Sequence, residues 1–400
     1  MSTAVTNRKR GLRTADRIEA MLKLSTSQVQ SGRYRVQLYR FLTDNLPLVS
    51  SCIWTWSRLA AAPGEFRVRS ESTANTDRAE KVLRALSDRI VGGGDGQMGG
   101  MTSFLLDLFQ GLFRDGHFGG FITVAADGSG IDRFVPIDVA DLRLDDERHG
   151  LLILERDDGV VSLDRPDFCH LRLNEGPAAP LGRSVLQTVP FVAYVEQQLV
   201  DDMRRSSHNA GFHRLHVRIT PPDRMSGEAD SAYVNRINDY FDSTVKMIRS
   251  CEVDENPVTW DNVEIASIGP NSSQGQTNRW FMSHRAMVEE ICSGANLAPF
   301  LLGYSFGETS SWASLKFDLV MRQVVTVQAQ VAGLLKLLGD IELALRGVAG
   351  ECDWVFNNDL SYRASESAGI TSQRLESILK LHTAGLLDDD SAREKVRELL

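Results

Sequence analysis

Apolar residues recur at steps of three and four along the longest patterned stretch of the chain. They are Trp312, Leu315, Leu319, Val320, Val324, Val327, Val331, Leu334, Leu335, Leu338, Ile341 and Leu345. This spacing predicts one helix with a single buried face. About 35 residues at 1.5 Å each make a rod of roughly 50 Å, long for a globular domain. The segment Leu297-Ala298-Pro299-Phe300-Leu301-Leu302-Gly303 and a polar loop over 304–311 precede it.

Upstream the pattern predicts a short helix at 16–24 and a helical stretch over 34–59 that Pro47 interrupts. Ala79, Val82, Leu83, Leu86 and Ile90 share one face of a helix over 76–91. Phe104, Leu105, Leu108 and Leu112 mark another over 101–114, ending at Asp115-Gly116. The period then shortens. Strands are predicted at 120–125, 131–135, 151–155, 160–163 and 168–173, with hairpin turns at Asp127-Gly128 and Asp158-Gly159. Helices followed by an antiparallel meander make an α+β fold.

A helical stripe resumes over 180–211 through Val185, Val189, Val192, Val195, Leu199 and Met203. A small β-α-β unit follows: a strand at 212–219, a helix at 233–248 and a strand or strand pair at 258–268. A second helix at 276–293 leads back, so a compact module sits between two helices. The chain closes with a strand at 353–357 and helices at 371–384 and 390–399.

Composition narrows the function classes. The 400 residues suggest two or three domains, and 42% hydrophobic with 24% charged residues is ordinary for a folded chain. No unbroken apolar run approaches the length of a membrane span. The first residues carry Arg8, Lys9, Arg10, Arg13 and Arg17 without the apolar core of a signal peptide, which predicts a cytosolic chain with a frayed basic arm. A net charge of −9 argues against a protein that grips DNA over its whole surface. Five cysteines at 52, 169, 251, 292 and 352 form no CxxC pair, so buried free thiols are expected rather than zinc or disulfides.

Several motifs invite chemistry. Gly303-Tyr304-Ser305-Phe306-Gly307 fits the G-x-S-x-G nucleophile elbow of a serine hydrolase, with Asp353 or Asp359 as acid and His382 as base. That elbow needs a strand before it and a parallel α/β sheet around it. The upstream pattern offers neither, so a flexible glycine loop is preferred. Gly94-x-Gly96-x-x-Gly99 follows a helix rather than a strand and reads as a plain loop. His213 and His216 fall on opposite faces of a strand and lack further ligands. The acidic runs 145–147 and 388–390 read as a solvated loop and a helix start. Trp54, Trp56, Trp260, Trp280, Trp312 and Trp354 form no stacking platform and suit core or subunit contacts. No catalytic, metal or cofactor site is expected.

The ordered layout over roughly 34–395 resembles the portal proteins of tailed double-stranded-DNA bacteriophages. Phe134-Val135-Pro136-Ile137-Asp138 is similar to the family's strand before its "position" loop. Asp167-Phe168-Cys169-His170-Leu171 followed by Pro180-Leu181-Gly182-Arg183-Ser184-Val185-Leu186 is similar to its histidine strand and Gly-x-Ser-x-Leu helix start. The Leu297 to Gly303 segment looks like its apolar-Pro-x-x-Leu-Gly signature. Ala384-Gly385-Leu386-Leu387 and Ala392-Arg393-Glu394 resemble its closing helices.

The resemblance implies an α+β portal fold with wing, two-helix stem, small α/β clip and short helical crown. Its parts would be a flexible arm (1–30), a wing (31–184), stem helices (185–210 and 270–296) around a clip (211–269), a tunnel loop with long wing helix (297–346) and a crown (347–400). It further implies a ring, usually dodecameric, at one capsid vertex of the virion, assembled in the host cytoplasm. Double-stranded DNA would pass its channel, and terminase, a head-completion adaptor and the major capsid protein would be partners, with no membrane. Another head or tail-adaptor scaffold is the remaining alternative. Tunnel-loop residues would be Tyr304, Ser305, Phe306, Gly307, Glu308, Thr309, Ser310 and Lys316. Stem candidates are Arg204, Arg205, Arg279 and Arg285. Clip candidates are Arg218, Arg224, Tyr233, Arg236 and Trp260. The tunnel loop is less basic than firm DNA contact would need.

Overall fold

The computed structural model describes residues 14–25, 31–69, 73–90, 100–145, 151–156, 159–177, 179–211, 214–250, 263–268, 274–305, 307, 309–358, 364–384, 387, 391 and 395–396. The arm before residue 14, the Gly94 to Gly99 cluster, Asp146, Glu147, Asp158, His213, Cys251, Trp260, Phe306, Glu308, Asp359 and the 388–390 run lie outside them, as does most of the predicted last helix. The side chains of His216 and Arg279 also lie outside the description.

The chain divides into a larger unit, residues 17–190 and 291–400, and a smaller one, residues 1–16 and 191–290. After a first helix α1 (Thr14–Ser25), the larger unit holds α2 (Ser31–Asn45) and α3 (Pro47–Ala60). Pro47 stands in the first turn of α3, where a missing N–H costs nothing, so the proline separates two helices rather than kinking one. Then come β1 (Gly64–Arg69), α4 (Thr73–Arg89) and α5 (Gly100–Asp115). The faces read from the spacing are the buried ones: Ala79, Leu83, Leu86 and Ile90, then Phe104, Leu105, Leu108 and Leu112. Helices α2, α3 and α5 pack mutually around Trp56, Phe109 and Phe113.

Six strands follow: β2 (His117–Val124), β3 (Ile131–Pro136), β4 (Leu142–Asp145), β5 (Leu151–Arg156), β6 (Gly159–Ser162) and β7 (Phe168–Arg172). They form two antiparallel sheets and not one meander. The orders are β3-β2-β7 and β4-β5-β6. β7 returns to β2, pairing Phe118 with Leu171 and Phe121 with Phe168, and the second sheet is inserted between. β4 escaped the sequence reading because its four residues, Leu-Arg-Leu-Asp, are too short a pattern.

The stretch expected to be helical from 180 makes turns until α6 (Val189–Gly211) begins. Gly182 has φ of +95° and would place a Cβ 2.4 Å from the Gly116 carbonyl oxygen, so this crossing tolerates only glycine. Ser184 then accepts the Leu186 N–H at 2.9 Å and donates to the Phe113 or Arg114 carbonyl.

The smaller unit contains most of α6, then β8 (Arg214–Ile219), α7 (Asp230–Ser250), β9 (Val263–Ile268) and most of α8 (Gln274–Gly294). β8 and β9 pair antiparallel, with Arg214 opposite Ile268. The chain re-enters the larger unit at Ile291 and completes it with α9 (Ser310–Leu345), β10 (Glu351–Phe356) and α10 (Ala364–Thr383). β10 pairs with β1, which the sequence reading missed, from Gly64 opposite Phe356 to Arg69 opposite Glu351.

The long rod is a single 36-residue helix. Its buried face runs Phe317, Val320, Val324, Val327, Val331, Leu334, Leu335 and Leu338, against α3, α4 and β10. Trp312, Leu315 and Leu319, placed in the same stripe by spacing, are exposed. At about 100° per residue they lie roughly 120° around the helix from the buried face. By length and composition α9 could cross a membrane. Of that apolar window 44% is buried within the structure.

Candidate functional site

The Pro-x-x-Leu-Gly signature is a turn of 3-10 helix over Pro299–Leu302, closed by Gly303 at φ +87°. The Gly303 N–H donates to Phe300 and the Tyr304 N–H to Pro299, both at 3.1 Å. Just before it, Leu297 donates to Cys292 at 2.8 Å, and the Ala295 carbonyl accepts the indole N–H of Trp56 at 2.9 Å. The loop at 304–309 therefore leaves a firmly held base. Within it Ser305, Gly307 and Thr309 are exposed, as is Ser310 at the start of α9, while Tyr304 is half-buried. Gly307 adopts φ of +86°. Thr309 caps α9 without a side-chain hydrogen bond. One and two turns on, the Lys316 ammonium lies 4.9 Å from the Trp312 ring centre.

Among the described residues the hydrolase geometry is absent. The residues before Ser305 form a 3-10 turn where an elbow requires a strand. The Asp353 carboxylate is engaged by Arg69 and Lys336, which hold it below the usual carboxylate range. His382 lies in the last turn of α10, not in a loop.

The arginines proposed for the stem and the clip whose side chains are described are self-neutralised. On α6, Arg204 pairs with Asp201 at 3.5 Å and Arg205 with Asp202 at 3.7 Å; on α8, Arg285 pairs with Glu289 at 2.8 Å. In the smaller unit Arg218 meets Glu264 across β8 and β9 at 3.0 Å. Arg224 and Arg236 brace the 222–236 loop and helix start. Arg236 grips Glu228 at 2.8 Å and lies 5.5 Å from the Tyr233 ring centre, and Arg224 reaches Asp230. Tyr233 donates to the Pro222 carbonyl at 3.2 Å. Arg236 holds Glu228 down to about 2. Four of the five clip candidates thus shape the module from within.

Sequence reasoning missed the apolar surface. Phe191 and Val200 on α6, Phe281 and Met282 on α8, and Val234 and Phe241 on α7 are exposed, along with Met225. Helical spacing alone cannot say which stripe the fold covers and which it leaves open.

A buried polar network was also invisible beforehand. Asp115 is bound by Arg40 at 2.8 Å and by Arg114, and Arg40 also holds Asp138 at 2.8 Å. Asp138 in turn caps the 3-10 turn Val139–Asp141. Beside it His117 Nδ1 and His170 Nε2 lie 3.1 Å apart. Burial lowers the two rings to about 4 and about 3. Elsewhere Glu342 of α9, fully buried, receives Arg89, Arg346 and the Ile131 N–H.

No family model matches the chain, and no curated protein matches its sequence. Solved structures do. A chain from the neck of the empty gene transfer agent particle, computed with C6 symmetry, matches with TM-score 0.65 and 14% identity, over 94% of this chain and 97% of that one. The neck of the native particle, computed with C12 symmetry, gives 0.61 at 14% identity over 96% and 99%. A HK97 family phage portal protein from Corynebacterium diphtheriae matches more loosely, at TM-score 0.43 and 11% identity over 79% and 93%. The chain shares, nearly end to end, the mixed helix and sheet fold of a particle-neck chain.

Proposed function

We propose that this chain is a portal protein: one subunit of a ring at a capsid vertex, through which double-stranded DNA enters and leaves. The observation that carries the reading is the fold correspondence over at least 94% of both chains with a component of a particle neck. That neck was resolved with C6 symmetry, and its native counterpart with C12. A twelve-subunit ring in a virion follows on this reading. The open apolar faces support it, because a cyclic ring needs two different contact surfaces on every subunit.

In this reading the larger unit supplies wing and crown, α6 and α8 the stem, and 211–269 the clip that meets terminase and then a head-completion adaptor. The loop at 304–311 faces DNA. Self-neutralised stem arginines suit a conduit, since phosphate held by free arginines would not slide. The major capsid protein would surround the ring.

Native mass spectrometry and negative-stain imaging test the proposal. A closed ring of about twelve copies is expected, by analogy with the C12 symmetry of the native neck. Monomers or dimers alone, under several assembly conditions, would sink it. Deleting 222–257 should leave the larger unit folded and abolish docking of the packaging motor; docking that survives removes the clip assignment.

A further inference from the structure

Within the larger unit, one cavity of about 370 Å³ is lined by groups from four separate elements. Arg35 comes from α2, His117 from β2, Arg143 from β4 and Arg183 from the turns after β7. Asp115, Ser184, Tyr39 and Gln187 add further polar groups to its wall. Two of the charges are already spent. Arg143 pairs with Glu155, and Asp115 is held by Arg40 and Arg114. The Ser184 hydroxyl is engaged with backbone groups. Arg35 and Arg183, both exposed at the rim, have no carboxylate partner among the described residues.

The histidine adds a donor. His117 and His170 share one hydrogen bond, and the far nitrogen of His170, Nδ1, is buried without a partner. A buried bare lone pair costs less than a buried unpaired N–H. His170 therefore donates from Nε2 to His117 Nδ1. That tautomer leaves the His117 proton on Nε2, and no residue of the described chain accepts it.

We infer that this cavity binds a compact oxyanion of the phosphate class, through the guanidinium groups of Arg35 and Arg183 and the Nε2 proton of His117. Donors drawn from separate elements around one cavity suit a tetrahedral anion, whose oxygens point several ways. A single planar carboxylate is satisfied by one guanidinium fork. The volume is at the small end for ligand sites and fits phosphate or a phosphate monoester. The inference does not depend on ring formation.

Isothermal titration of the full chain with inorganic phosphate, and separately with deoxyadenosine monophosphate, tests it. Saturable binding is expected, weakened about tenfold or more in Arg35→Ala/Arg183→Ala, since charge-assisted hydrogen bonds are the strong ones. The paired-lysine variant should recover part of the affinity, which separates lost charge from lost fold. Arg165→Ala, whose charge answers Asp167 at 2.7 Å away from the lining, should bind as the parent does. Tighter binding of the nucleotide identifies a monoester as the ligand; equal binding identifies free phosphate. Absence of saturable binding by either probe, or equal affinity in the parent and the double alanine variant, overturns the assignment.

Discussion

Trp56 donates its indole N–H to the backbone carbonyl of Ala295 at 2.9 Å, joining positions 239 residues apart. The bond is buried, and it fixes the segment leading into the 304–311 loop against α3. Trp56→Phe keeps a large ring beside Phe113 and removes only the donor. A loss of about 1–3 kcal/mol is expected for the orphaned carbonyl. Trp56→Ala also empties the site and should cost about 3–5 kcal/mol. Urea unfolding of the two variants measures the difference. A Trp56→Phe variant as stable as the parent would mean that the hydrogen bond carries nothing.

Two glycines with similar backbone angles should respond very differently. Gly303 at φ +87° has open space around its Cβ position, so Gly303→Ala meets only the left-handed penalty, about 1–2 kcal/mol. Gly182 at φ +95° adds a clash with the Gly116 carbonyl at 2.4 Å. Gly182→Ala must therefore move the crossing between β2 and the 182 turn. It should lower the melting temperature several times as much. Comparable melting shifts would contradict the crossing geometry.

The parts of the fold that could be read in advance are those set by local repetition. Val320 to Leu338 and Phe104 to Leu112 occupy the faces their spacing predicted. What the pattern could not supply was phase and partner. Trp312, Leu315 and Leu319 keep the same step as the core residues of α9 yet face outward, because the packed elements cover a different side. β1 answers β10 and β7 answers β2, pairings that local alternation cannot encode. Val185 continues a helical stripe on paper, but the left-handed Gly182 and the Ser184 hydrogen bonds hold that segment in turns. The basic residues of the candidate site were found as residues. Their carboxylate partners, such as Glu228 for Arg236, were not.

The histidine pair makes a pH prediction. Both rings titrate well below the free value when folded, because burial disfavours the charged form. At intermediate pH the unfolded chain then binds more protons than the folded one. Stability is full above the unfolded pKa near 6.5 and falls as pH drops toward about 4. His117 alone should account for roughly 3 kcal/mol between pH 7 and pH 4. The double variant His117→Gln/His170→Gln should lose less on acidification than the parent. Parallel pH profiles would argue that the rings titrate normally.

Glu342 ties three elements together from the buried side of α9. Burial pushes its pKa up, but the hydrogen bonds from Arg346, the Ile131 N–H and Arg89 outweigh that and hold it below the usual range. Glu342→Ala leaves two arginines without their anion and the Ile131 N–H without its acceptor. A loss of about 3–5 kcal/mol is expected. Arg346→Ala removes a partly exposed partner while Arg89 remains, and should cost less than half as much. Guanidinium melts of both variants check the ranking, and a larger effect for Arg346→Ala would reverse the assigned hierarchy.

Trp312, Leu315 and Leu319 form an open stripe on the first three turns of α9, next to the 304–311 loop. Their exposures of 43%, 58% and 44% are too large for residues that support the subunit's own core. In the ring proposed above, such a stripe is where a neighbouring subunit would gain apolar contact, at about 25 cal/mol per Å² buried. Leu315→Glu/Leu319→Gln should therefore leave monomer stability within about 0.5 kcal/mol of the parent, as surface changes do. The same variant should shift the population from rings toward single subunits. Sedimentation velocity reads the second effect and thermal melting the first. Rings forming at the parental concentration would show that this stripe faces solvent in the assembly. A melting temperature that collapses would show that it belongs to the core.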